Sequence, residues 1–320
     1  METIHLPSFK DIRTAHLRIS SRIHRTPVLT SASINEMTGV QVFFKCENFQ
    51  KVGAFKYRGA TNAVMSLTDE QALHGVATHS SGNHAAALAL AARIRGIKCF
   101  VAMPVTAPET KIEAVKHYGA DITFCEPTLS SREETLDGII RQTGATFVHP
   151  YDNFNVICGQ GTAAKEFLEY EPGLEILLVP VGGGGLLSGS AIAAKAIQPR
   201  IQVFGCEPVN ADDACRSFHT GTLIPSVNPK TVADGLLTSL SERTFAIIRE
   251  HVDDILTVSE SSILLAMRLI WQRMKIIIEP SSAVPVAVLL DNRVRFTGKK
   301  AGIILSGGNC DLSNLPFRES

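Results

Sequence analysis

The segment Ile176-Leu177-Leu178-Val179-Pro180-Val181-Gly182-Gly183-Gly184-Gly185-Leu186-Leu187-Ser188-Gly189 runs from an apolar, β-branched stretch into four consecutive glycines and out into a helix-forming sequence. A strand, a glycine turn and a helix in succession make one unit of a parallel sheet. Four residues without side chains let several backbone N–H groups converge on one anion, and the N-terminus of the following helix adds partial positive charge. The turn therefore reads as a phosphate cradle. Two other readings stay open at this point. One is a tight strand-to-helix turn with no ligand, although four glycines give more backbone freedom than a turn needs and each adds entropy that folding must overcome. The other is a dinucleotide site: Gly183-x-Gly185-x-x-Ser188 nearly fits GxGxxG, and Glu207 ends the next strand where a ribose-binding acid would stand. Against it, Ser188 replaces the third glycine, and much of the remaining chemistry in the chain has no role in hydride transfer.

The same alternation extends in both directions. Upstream, the pattern predicts strands over 75–80, 99–103, 121–125 and 146–149, separated by helices over 83–95, 108–118 and 132–143. Downstream it predicts a helix from Gly159 to Tyr170, a strand over 176–181, a helix over 186–196, and strands over 202–206, 254–258 and 302–305. Parallel strands need crossover connections, so the class is α/β with parallel sheets covered by helices on both faces. At roughly 150 residues per domain, 320 residues give two lobes. No linker rich in Pro, Gly or Ser divides them, so the chain is expected to cross between lobes more than once.

Composition narrows the partners. The chain has 31 Lys+Arg against 31 Asp+Glu, which leaves no cationic excess for a nucleic acid or an anionic bilayer. Neither partner is expected. The stretch Met1-Glu2-Thr3-Ile4-His5-Leu6-Pro7 has an acid where a signal peptide is basic. No apolar run approaches the ~18 residues that span a bilayer, so a cytosolic location is expected. Seven cysteines stand singly with no CxxC pair and read as small core residues in a reducing compartment.

Gly53-Ala54-Phe55-Lys56-Tyr57-Arg58-Gly59 sets one lysine between glycines and an aromatic residue ahead of a helix, and Ser80-Ser81-Gly82-Asn83-His84 joins a strand to an Ala-rich helix. Singly, the first is a solvated lysine and the second an ordinary N-cap. In order along the chain, with the four glycines and Leu305-Ser306-Gly307-Gly308-Asn309, they are specific. The sequence resembles the serine/threonine dehydratase and serine racemase family of fold type II pyridoxal-phosphate (PLP) enzymes over essentially its whole length, with a 3-hydroxyaspartate dehydratase-like branch among the possibilities. Further matching segments are Phe44-Lys45-Cys46-Glu47-Asn48-Phe49-Gln50, Gly159-Gln160-Gly161-Thr162 and Ile278-Glu279-Pro280. The resemblance implies a two-lobed, tryptophan synthase β-like fold, a large PLP-binding domain from 1–74 plus 154–320, a small domain over 75–153, and a homodimer.

The resemblance also implies roles. Lys56 would carry PLP on its amine and act as the catalytic base, with Phe55 against the ring, Asn83 on the phenolic oxygen, Ser306 at the pyridine nitrogen and Gly182, Gly183, Gly184 and Gly185 around the phosphate. Ser80, Ser81, Asn83 and His84 would hold the α-carboxylate of an amino-acid substrate, and the Ser81 hydroxyl would serve the opposite face as a second catalytic group. Glu207, Asp213 and the Ala211 carbonyl would form a divalent-cation site, an all-oxygen set that suits Mg, Mn or Ca; a solvated acidic loop is the alternative. Arg132 matches an arginine of the serine racemase branch that could pair with the second carboxylate of a diacid, and is otherwise a surface residue at a helix start. Tyr151 departs from the asparagine of vertebrate racemases. The expected reaction is dehydration and deamination of a β-hydroxy α-amino acid (3-hydroxyaspartate, L-serine or L-threonine) to a keto acid and ammonia. Serine racemase is the runner-up, and a binding protein without PLP the reading from another class.

Overall fold

A computed structural model describes residues 5–317, so residues 1–4 of the N-terminal stretch read above lie outside the described residues. The strands in chain order are β1 (Val28–Thr30), β2 (Gln41–Cys46), β3 (Val76–His79), β4 (Cys99–Pro104), β5 (Asp121–Cys125), β6 (Thr146–Phe147), β7 (Ile176–Pro180), β8 (Gln202–Pro208), β9 (Asp254–Val258) and β10 (Lys300–Leu305). They form a six-stranded sheet in the order β1-β2-β10-β7-β8-β9 and a four-stranded sheet in the order β5-β4-β3-β6. Every pairing is parallel except β1 with β2. The chain leaves the large sheet after β2, builds the small sheet, and returns at β7. All five residues of β7 are buried, as a central parallel strand covered on both faces requires.

The α/β class stands, and the differences from the sequence reading lie at element ends and before residue 75. The antiparallel strand β1 has only three residues, too few to show a period. The helix predicted from Arg132 begins at Leu129, because the Thr128 hydroxyl caps it by accepting from the Ser131 N–H. The helix predicted from Gly159 begins at Phe154, capped by Asn153. Gly159 and Gly161 look like helix breakers in sequence, yet they are interior positions where helices cross at backbone contact. A Cβ on Gly159 would lie 2.6 Å from the Arg58 carbonyl oxygen, and one on Gly161 would lie 2.7 Å from that of Gly189. Packing overrides propensity here.

These crossings press helix Phe154–Tyr170 against helix Lys56–Ser66, and a buried charge network ties the two to β2. Arg58 donates from Nε to Glu47 at 2.7 Å and from Nη1 and Nη2 to Glu166 at 2.9 and 2.8 Å, and Lys45 reaches Glu166 at 2.8 Å. All four side chains are buried, and two cations balance two carboxylates. Burial alone would raise the Glu166 pKa, but Arg58 and Lys45 outweigh it and hold the carboxyl at about 2. Arg58 stands two residues after Lys56, so this network fixes the helix that presents the lysine.

Candidate active site

Four segments converge at the carboxyl ends of parallel strands, where open α/β sheets place their ligands. Ser80–His84 follows β3, the four glycines follow β7, and Ser306 follows β10. The Phe55–Lys56 segment, reached from β2 through two short 3₁₀ turns, is held beside Ser306 by the Phe55 N–H donating to the Ser306 carbonyl at 2.9 Å and by a bridge from Ala54 to Gly307. One cavity of about 170 Å³ is lined by Phe55, Lys56, Ser306 and Gly182 through Gly185. Ser80, Ser81, Asn83, His84 and Arg132 line its other side. Residues predicted from distant stretches of the chain therefore share one cleft, of a size for a small molecule.

The Lys56 amine donates to the Pro150 carbonyl at 2.9 Å. Loss of water around the amine lowers its pKa to about 8, with Glu279 opposing. The glycine turn is packed so closely that side chains cannot be accommodated: a Cβ on Gly183 would meet Tyr151 Cδ1 at 2.3 Å, and Gly184 sits at φ +83°. Its Cβ-free backbone leads directly into the first turn of helix Gly185–Ile197, whose N–H groups lack intrahelical partners. Opposite, Gly82 precedes helix Asn83–Arg95. Ring Nε2 of His84 lies 3.2 Å from the Val148 carbonyl oxygen, so Nε2 carries the hydrogen and the buried ring is committed there. What His84 offers a carboxylate is its first-turn N–H. Asn83 donates from Nδ2 to both oxygens of Glu279, at 3.0 and 3.1 Å, and accepts from Asn309 at 2.9 Å. Ser306 Oγ lies 3.1 Å from Ser282 Oγ.

Several cleft groups had no role assigned from sequence. Glu279, within a motif the sequence reading matched, is buried beneath Asn83, and burial together with Asp234 pushes its pKa up to about 7. His79 and His149 form an edge-on pair at the outer wall with ring centroids 5.8 Å apart. Lys111 pairs with Asp234 across the mouth. Glu279 and His79 lay within or beside recognised motifs and Lys111 near none, and in no case does the sequence say what the side chain faces.

Glu207 and Asp213 lie outside the cleft, and both are fully buried, which removes the solvated-loop alternative. Glu207 accepts from the N–H groups of Ala214 at 3.1 Å and Cys215 at 2.8 Å, so the acid that a dinucleotide site would need is turned away from the glycine turn. Burial pushes Glu207 up to about 9 and Asp213 up to about 6, and neither side-chain oxygen of Asp213 has a hydrogen-bond partner among the described residues. Among the described residues no group of three or more His, Cys, Asp or Glu could hold a metal, and no helix is long and apolar enough to cross a membrane.

A lysine with depressed pKa facing a side-chain-free anion cradle, on a two-sheet α/β frame, defines a fold type II PLP enzyme. The pyridoxal-phosphate dependent enzyme family matches residues 19–307, and the chain belongs to that family. It is 52% identical to the beta-hydroxyaspartate dehydratase of Paracoccus denitrificans, over 98% of this chain and all of that protein. It is 49% identical to the serine racemase of Dictyostelium discoideum, with 98% of each chain covered. The structure of maize serine racemase superposes with a TM-score of 0.94 at 43% identity, covering 97% of this chain and 95% of that one.

Proposed function

We propose that this protein dehydrates and deaminates a β-hydroxy α-amino acid, with 3-hydroxyaspartate as the preferred substrate, yielding a keto acid and ammonia. The observation that carries the reading is one cavity holding the Lys56 amine, the glycine cradle, the Ser80–His84 turn and the Arg132 guanidinium. The residues present fit PLP: an amine of pKa about 8 would bond its aldehyde, and a four-glycine turn lining the same cavity at a helix N-terminus would hold its phosphate. PLP supplies the electron sink that makes the substrate α-proton removable. The Lys56 amine would take that proton as general base. Phe55 would pack against the ring, and Asn83, which now donates to Glu279, would hydrogen-bond its phenolic oxygen. A neutral hydroxyl at Ser306 cannot hold the ring nitrogen protonated as a carboxylate would, which favours prompt loss of the β-hydroxyl. The turn at Ser80, Ser81, Asn83 and His84 binds the α-carboxylate, and Arg132 binds the second carboxylate as a bidentate partner.

Serine racemisation is the second reading. The Ser81 hydroxyl lines the same cavity as Lys56 and could return a proton to the other face. Glu207, Asp213 and the Ala211 carbonyl fit Mg, Mn or Ca, because a cation would use the unpaired Asp213 oxygens and offset the burial of two carboxylates. The same reading has residues 75–153 as the smaller lobe over the cleft, and the protein as a cytosolic homodimer. A substrate panel on the purified holoenzyme, with keto acid and D-amino acid measured in parallel, tests it. Keto acid formed fastest from 3-hydroxyaspartate supports the proposal, and D-serine as the main product of L-serine with little keto acid overturns it in favour of racemisation.

A further inference from the structure

Two side chains lining the cleft present polar groups to it that no described protein group pairs. Arg132 stands near the start of helix Leu129–Thr143, whose first turn holds no acidic residue and where the helix dipole presents its positive end, with Glu133 and Glu134 following it along the chain. Its Nε donates to the Thr128 carbonyl at 3.3 Å, and its terminal nitrogens have no protein partner among the described residues. His79 closes β3 beside it; the residue is 9% exposed, lines the cavity, and its ring forms no hydrogen bond to any described residue. The ring lines the cavity with its polar edge unpaired by protein, so a ligand in the cavity can take its hydrogen bond in place of water.

The ring is nevertheless held in place. Phe147 packs on it with centroids 5.9 Å apart, and His149 meets it edge-on at 5.8 Å. His149 is fixed in turn, because its Nδ1 accepts from the N–H of Asp152 at 2.8 Å and Tyr151 stacks edge-on against it at 4.5 Å. Accepting at Nδ1 makes His149 neutral. Burial, reinforced by the Arg132 charge, lowers the His79 pKa to about 4, so His79 is neutral as well and keeps one N–H to donate.

We propose that His79 is a specificity-determining residue that donates its ring N–H to the distal carboxylate of a dicarboxylic substrate, beside the Arg132 guanidinium. This deepens the dehydratase reading and rests on it. L-serine and L-threonine have no group to meet either donor, and a site whose buried polar groups are left unpaired discriminates against such substrates. The Phe147, His149 and Tyr151 rings act as the support that aims the imidazole.

Calorimetric titration of the holoenzyme with succinate, a four-carbon diacid, and with propionate, its monoacid counterpart, tests the assignment without depending on turnover. Wild type should bind succinate more tightly than propionate. In His79→Leu the succinate Kd should rise about ten- to a hundredfold while the propionate Kd changes less than about twofold, since the lost bond is to a charged group. His79→Asn, which restores an N–H donor in less volume, should recover part of the succinate affinity, a result that lost packing would not give. Equal weakening of both ligands in His79→Leu, or unchanged succinate binding, overturns the role of His79 and leaves the dehydratase reading intact. A wild type with no preference for succinate overturns both the His79 role and the distal-carboxylate role of Arg132.

Discussion

A lysine amine at pKa about 8 is substantially neutral just above neutrality, and only the neutral form attacks an aldehyde. Uptake of PLP by cofactor-free protein should therefore accelerate as pH rises through about 8 and level off above it, read from the visible absorption of the bound cofactor. A Lys56→Ala variant should gain no such band and no activity; full activity without bound cofactor would refute the enzyme class assigned to this cleft. Ser81 separates the two reactions open to the site. Ser81→Ala should abolish D-serine formation while keto acid production from the L-substrate falls much less, because only proton return to the second face needs that hydroxyl. Equal loss of both products would show that Ser81 serves carboxylate binding. Lys56, Ser81 and the glycines were legible because each lies inside a contiguous motif. His79 and Glu279 were not, since what they face comes from other strands.

At the scale of elements, the site depends on how helix Lys56–Ser66 is held. The Arg58, Glu47, Glu166 and Lys45 network anchors it from below, and removing one member leaves a buried charge without its partner. Glu166→Gln should lower unfolding free energy by about 3–5 kcal/mol in denaturant titration. The network also sets an acid limit. Glu166 titrates at about 2 when folded against a model value of 4.5, so its stabilisation is complete above about 4.5 and is lost as pH falls toward 2. That interval corresponds to about 3 kcal/mol, and Glu166→Gln should flatten the acid limb of the stability profile correspondingly. The helix boundaries misread at Gly159 and Arg132 belong here too. Glycine propensity and a late-starting apolar period are local signals, whereas the observed starts are set by the Asn153 and Thr128 caps and by backbone contact between crossing helices.

On the scale of the molecule, the cleft lies between two sheets, and the proposed cation site lies apart from it, beyond β8. A cation bound there only in the folded state would stabilise the whole chain. Adding a chelator should lower Tm, and Mg, Mn or Ca should restore it, with Glu207→Ala/Asp213→Ala insensitive to both. An unchanged Tm on chelation would leave the two buried carboxyl groups as a pair without a cation. The ion pair from Lys111 to Asp234 joins the small-sheet segment to the large-sheet segment across the cleft mouth.

The sequence by itself determined the class and, through a resemblance, the chemistry. Alternation of strand and helix patterns forces parallel sheets, and the glycine turn, Phe55-Lys56 and Ser80–His84 gain their meaning from the order in which they follow one another along the chain. Tertiary structure alone decided which side chains face one another. It turned Glu207 away from the glycine turn, committed the His84 ring to Val148, set Glu279 beneath Asn83, and brought His79 beside Arg132. The reason is physical: backbone periodicity and turn chemistry act over a few residues, whereas burial, partner loss and pKa arise from groups that meet only when distant strands and helices pack.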